Sequence, residues 1–176
     1  MTKLSVLFFG LFLSIFSFSQ NKDSSILVFG DDFSFSIKVP KGWIGDIENA
    51  KDYGANIVFY KDKTQLKNGG AIVQVLAFTK QDEQTNKDLE ADLASYKKEY
   101  PKAKFQDFEA KHKDYKTYSK LVFVDKKFYQ YIVYINGGTK YKNGYSVAMN
   151  ISNRPATQDE LQTYLSIILS LTIFTK

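Results

Sequence analysis

The sequence contains no cysteine, one histidine, three prolines and, among its basic residues, a single arginine, Arg154. Without cysteine there is no disulfide framework, no thiol nucleophile and no thiolate metal site, so the fold must be held by its core alone. A lone histidine removes a histidine-rich zinc site. It also confines any Ser-His-Asp arrangement to His112, which lies in Lys111-His112-Lys113-Asp114. That stretch reads as a solvated hairpin tip, the opposite of the sheltered, carboxylate-oriented setting a general base needs. Nucleic-acid readers favour arginine for bidentate contacts to guanine and phosphate. The formal net charge of +5, carried almost wholly by lysine, therefore argues against nucleic acid and leaves a weak affinity for anionic surfaces. No phosphate-binding loop is present, because Gly137-Gly138 lacks both the spacing and the following helix.

What is there begins with an export profile. Lys3 supplies a short positive region, and residues 4–18 carry no charge, the pattern of a signal peptide. Ser17 and Ser19 stand at the minus-three and minus-one positions of a cut after Ser19, which leaves Gln20 at the new N-terminus. The apolar run falls short of the roughly 20 residues that span hydrocarbon, and no cysteine follows it to be lipidated. The expectation is a signal peptide over 1–19 and one domain over 20–176, periplasmic or secreted, with no stable membrane span. A content of 44% hydrophobic and 24% charged residues is the balance of an ordinary globular domain rather than a disordered chain.

Along the mature chain, residues 33–39 alternate apolar and polar, placing Phe33, Phe35, Ile37 and Val39 on one face of a strand. Pro40-Lys41-Gly42-Trp43 turns the corner at its end. This strand is expected to pair with 26–29 as a hairpin and to be a central strand of the sheet. One helical turn is expected around 46–51. Residues 56–60 and 71–79 read as strands joined by a lysine-rich loop ending in Asn68-Gly69-Gly70. Leu89, Leu93, Tyr96 and Tyr100 recur at helical spacing within 84–100, with acids early and Lys97 and Lys98 late, as the helix dipole favours. Four antiparallel strands follow, over 104–110, 116–124, 128–135 and 145–151. Thr157-Gln158-Asp159-Glu160 is a capping box opening a C-terminal helix that buries Leu161, Tyr164, Leu165, Ile168 and Leu169. Residues 171–174 form a short extension.

In this order the chain resembles the PsbP-like superfamily. The resemblance rests on the strand and corner Phe35-Ser36-Ile37-Lys38-Val39-Pro40-Lys41-Gly42-Trp43, on the central helix followed by a meander, and on the terminal helix ending Ile167-Ile168-Leu169-Ser170-Leu171-Thr172-Ile173. It implies an α+β fold, an antiparallel sheet of about six to seven strands sandwiched between helices. It also implies a protein that acts as a binding or assembly factor without catalysing a reaction. It carries over no metal, cofactor or partner-binding residue, because no functional motif of the family is matched.

The remaining candidates are local. Asp31-Asp32 is the densest carboxylate pair, read as a hairpin turn whose aspartates bond their own backbone rather than a calcium site, which needs six to eight oxygens. Tyr115, Tyr118, Tyr129, Tyr131, Tyr134, Tyr141 and Tyr145 are interleaved with lysines. Most are explained by rings packing inward from strands, but the loop around Lys140, Tyr141 and Lys142 is not. Lys140, Tyr141, Lys142 and Tyr145 are therefore the candidate partner-binding residues, for a protein or an anionic component of the cell envelope. No catalytic, cofactor or metal residue is assigned. The alternatives to a binding factor are a carboxylate- or tyrosine-dependent hydrolase with its cleft near Trp43, and an electrostatic binder of anionic polymer or lipid.

Overall fold

A computed structural model describes residues 24–68, 70–81, 83 and 85–175; the expected signal segment lies outside the described residues. The first hairpin forms as the alternation requires. β1 (Ser25–Phe29) pairs antiparallel with β2 (Ser34–Lys38), Val28 standing opposite Phe35, and Phe35 and Ile37 are fully buried. Each such side chain contributes roughly 1.5–3 kcal/mol on burial.

β2 does not enter the main sheet, however, and the expectation that it is a central strand there is corrected. The chain end folds back as β10 (Thr172–Ile173) and pairs with the free edge of β2, making a separate three-stranded sheet in the order β1-β2-β10. Phe174 N–H extends the pairing by donating to Ser34 O at 3.0 Å. The short extension at the C-terminus is thus a strand, and β2 is central to this smaller sheet.

The main sheet has seven strands: β3 (Ile44–Asp46), β4 (Ile57–Tyr60), β5 (Ile72–Thr79), β6 (Lys104–Asp107), β7 (Lys116–Val124), β8 (Phe128–Asn136) and β9 (Asn143–Ser152). Their order is β3-β4-β5-β9-β8-β7-β6, and every pairing is antiparallel. Period-2 alternation divides the two faces. Tyr131, Val133 and Ile135 of β8 point to the main core with Val73, Val75, Val147 and Met149. Ile132 and Tyr134 point to the other side.

The main-core face is covered by the small sheet and by α3 (Gln158–Ser170). The other is partly covered by α2 (Thr85–Glu99), whose Leu89 is buried among Val122, Ile132 and Tyr134. This is the α+β arrangement of an antiparallel sheet between helices. Residues 44–46 are drawn into β3, so the helical turn expected at 46–51 sits later, as a 3-10 turn at Ala50–Tyr53. The lysine-rich loop contains a short helix, α1 (Lys63–Asn68). Asp62 starts it by accepting the Thr64 N–H at 2.8 Å, the bond by which a capping aspartate satisfies an orphan amide.

α3 is fixed at its N-terminus and at its middle. Thr157 Oγ1 accepts the Glu160 N–H at 3.3 Å, and Glu160 Oε2 accepts the Thr157 N–H at 2.8 Å, so the capping box forms as read. Arg154 clamps the same carboxylate bidentately at 2.7 and 2.8 Å. Those bonds, the arginine's above all, pull the Glu160 carboxyl down to about 2. One turn on, the Tyr164 hydroxyl lies 2.8 Å from Tyr131 O on β8 and 2.6 Å from Val147 O on β9. Ile167 and Ile168 are fully buried, whereas Leu169, expected on that face, is 47% exposed.

Candidate functional site

The loop between β8 and β9, residues 137–142, is shaped by its first residues. Asn136 Oδ1 accepts the Gly138 N–H at 2.9 Å and its Nδ2 donates to Glu83 O at 2.7 Å. Gly138 has φ +97°, a left-handed conformation that glycine adopts without strain. Its carbonyl accepts from Lys80 Nζ at 3.0 Å and from the Tyr141 N–H at 3.2 Å. The turn this closes folds the Tyr141 ring onto Gly137, where a Cβ would meet Tyr141 Cδ2 at 2.6 Å. Tyr141 is therefore half-buried against the core, not a free flag on a loop.

Lys140 Nζ sits 4.8 Å from the centre of the Tyr141 ring, a cation–π contact. Lys142 Nζ lies 3.3 Å from Asp32 Oδ2, and Asn143 Nδ2 is 3.5 Å from Asp32 Oδ1. Tyr145 is buried, its ring meeting Phe35 edge-on at 5.4 Å. Burial, reinforced by Tyr115, Tyr141 and Asp32, pushes its phenol up to about 12. It remains a neutral hydroxyl at any physiological pH.

All four candidate residues line one recess of about 170 Å³. Tyr141 and Tyr145 form its wall, and the two ammonium groups stand at its rim. Asp32, Phe33 and Phe174 complete it, and none of these was singled out as a partner residue. Asp32 arrives from the β1–β2 turn and Phe174 from the chain end, so only tertiary structure places them there. Besides standing in the hairpin turn, the Asp32 carboxylate reaches Lys142 and Asn143 across the recess. Among the described residues no three His, Cys, Asp or Glu side chains gather to hold a metal.

His112 is not the solvated turn residue its neighbours suggest. It is 8% exposed, its Nε2 is 3.0 Å from Leu171 O, and its Nδ1 accepts the Asp114 N–H at 3.0 Å. A ring nitrogen facing a carbonyl must carry the proton, so the neutral Nε2–H tautomer satisfies both contacts. Burial lowers the imidazole's pKa, and the Tyr115 ring is stacked on it at 4.5 Å. Both nitrogens are used in structure.

Trp43 is 8% exposed within the core. The groove beside its corner is lined by Lys38, Lys41, Lys113, Ser166 and Ser170, with no carboxylate or tyrosine among its lining residues. That describes this groove alone: on the strands that follow Trp43, the Tyr60 hydroxyl donates to Asp46 Oδ2 at 2.6 Å where β3 pairs with β4. Several of the interleaved tyrosines do pack inward, Tyr131, Tyr134 and Tyr145 being buried.

Fold and recess together define a small α+β protein with a seven-stranded antiparallel sheet and a mixed aromatic and lysine recess where its two sheets meet. No family model matches the chain, and no curated protein matches it. Among solved structures it is similar to cyanobacterial PsbP (CyanoP) from Synechocystis sp. PCC 6803. The identity is 16%, with 89% of this chain and 96% of that chain covered and a TM-score of 0.48. It is also similar to a protein from Bacteroides thetaiotaomicron VPI-5482, at 17% identity over 81% of this chain and 46% of that chain, with a TM-score of 0.39.

Proposed function

We propose that this protein is an exported, non-catalytic binding or assembly factor of the cell envelope, and that it engages its partner at the Lys140-Tyr141-Lys142-Tyr145 recess. The observation that carries the reading is the convergence of those four side chains on one hollow with Asp32 and Phe174. Aromatic walls supply contact area at low entropic cost, and lysines at the rim steer an anionic group toward it. Export rests on the N-terminal profile. No helix among the described residues is long and apolar enough to cross a membrane.

The test is capture of partners from the cell envelope with the mature domain, repeated with Lys140, Tyr141 and Lys142 replaced by alanine. A specific partner bound by the wild type and lost by the triple variant supports the recess. Equal capture by both proteins removes it.

A second reading is favoured by the groove of Lys38, Lys41 and Lys113, which adjoins the exposed Leu169. Cations beside an apolar side chain suit an anionic lipid surface or polymer. Binding to anionic vesicles that persists unchanged from low to high salt contradicts this reading, because exposed charges are screened beyond about 10 Å at 0.1 M.

A further inference from the structure

The face of the main sheet that carries α2 is only half covered. The helix packs over β7 and β8, and beyond Ile132 the face runs on across β9 and β5 in two cross-strand rows, Tyr134-Ser146-Leu76 and Ile132-Ala148-Gln74. Ser146 and Ala148 are short, so the floor lies low beside the helix. The result is a cleft of about 300 Å³ between Asp92, Ser95, Tyr96 and Glu99 of α2 and the backbone at Gly54. That size is at the small end of ligand clefts, which run from roughly 300 to 1,000 Å³.

The polar groups of this cleft are held in place. Gln130 Nε2 donates to Asn150 Oδ1 at 2.8 Å, Asn150 Nδ2 to Gln74 Oε1 at 2.6 Å, and Gln74 Nε2 to Tyr53 O at 2.9 Å. This chain fixes three amides across three strands and uses one N–H of each, leaving a second N–H on each amide. Asp92 is likewise fixed, accepting from the Tyr134 hydroxyl. The Tyr96 ring is braced by Tyr100 at 5.2 Å and by Phe128 at 6.5 Å, the latter nearly parallel at 14°.

Charge and hydrogen-bond chemistry narrow the occupant. The chain has a formal net charge of +5, yet this cleft is lined by two carboxylates, Asp92 and Glu99, and by no lysine. An anion would meet both acids. An ammonium group can only donate, so it would leave the amide N–H groups unmet. A hydroxyl donates to carboxylates and accepts from amides at once, and a ring of hydroxyls also presents an apolar face to an aromatic wall.

We propose that the cleft between α2 and strands β5, β9 and β8 is a carbohydrate-binding site, taking one or two uncharged sugar units whose hydroxyls bond Gln74, Gln130, Asp92 and Glu99 while a ring face packs on Tyr96. The site is separate from the Lys140 recess and does not depend on it.

The experiment titrates the protein with cellobiose, N,N′-diacetylchitobiose and maltose and follows backbone amide shifts by NMR. At least one disaccharide is expected to bind with a dissociation constant of about 1 mM or tighter, moving the amides of Gln74, Gln130 and Ser146. Ser146→Val, which raises the floor, and Gln130→Leu, which breaks the amide chain, should each weaken binding about tenfold or more while leaving the dispersed spectrum of a folded protein. Tyr141→Ala should leave binding unchanged. Absence of binding by all three sugars overturns the proposal. So does binding that Ser146→Val and Gln130→Leu do not weaken, or a cleft that takes tetramethylammonium in their place.

Discussion

Replacing Tyr164 tests how α3 is locked to the main sheet. The side chain is fully buried, and its single hydroxyl proton is shared between carbonyls on two neighbouring strands, at 2.8 and 2.6 Å. Tyr164→Phe keeps the ring and its packing and removes only the donor. One buried hydrogen bond has a net value of about 1 kcal/mol, and stranding its acceptors raises the loss to about 1–2 kcal/mol. With a urea m-value of about 2 kcal/mol/M, the midpoint should fall by roughly 0.5–1 M at unchanged m. Tyr164→Ala also opens a cavity and should cost about 3–5 kcal/mol.

The pH dependence supplies an independent check. Burial raises the Tyr164 phenol well above 10, whereas the unfolded chain's phenol titrates near 10. Its contribution is complete below pH 10 and is lost as pH rises beyond it, because only the unfolded state sheds the proton there. The stability gap between wild type and Tyr164→Phe should therefore narrow above pH 10. A neutral Tyr164→Phe, or a gap that does not change through pH 10–11, would refute the assignment of this hydroxyl as the anchor of α3.

Three further expectations rest on separate contacts. Glu160→Gln should lose about 1–3 kcal/mol at pH 7; since its carboxyl is held down at about 2 against an ordinary 4.5, urea midpoints should show the loss shrinking as pH falls from 4.5 toward 2. His112 should titrate below 6.5, because burial disfavours its charged form, so its contribution stands above pH 6.5 and declines as pH falls; an NMR titration giving 6.5 or above contradicts the buried neutral ring. Gly137→Ala sets a Cβ 2.6 Å from the Tyr141 ring, and a thermal melt should show a loss of about 1–3 kcal/mol together with weaker partner capture, as the ring must leave the recess wall.

What could be read from the chain was set by whether the signal is local. The β1–β2 alternation, the leucine spacing of α2 and the Thr157–Glu160 box each lie within a few residues, and the structure forms all three. The placement of β2 was not local, since its second neighbour, β10, lies more than a hundred residues away in sequence. His112 looked wet because two lysines flank it; its burial comes from Leu171, across 59 residues. The recess divides the same way. Its lysine and tyrosine side stood out as a loop that packing did not explain, while Lys142 and Asp32 meet across 110 residues. The start of α1 is also local, the Asp62 side chain accepting the Thr64 N–H.

Whether a partner occupies the recess can be read by crosslinking in intact cells from a photoreactive residue at position 140, beside the same residue at position 127 on the distant β7–β8 turn. A partner in the recess gives a discrete adduct from position 140 that disappears with Tyr141→Ala and is not formed from position 127. Adducts of the same pattern from both positions, or an adduct at 140 that survives Tyr141→Ala, would contradict it.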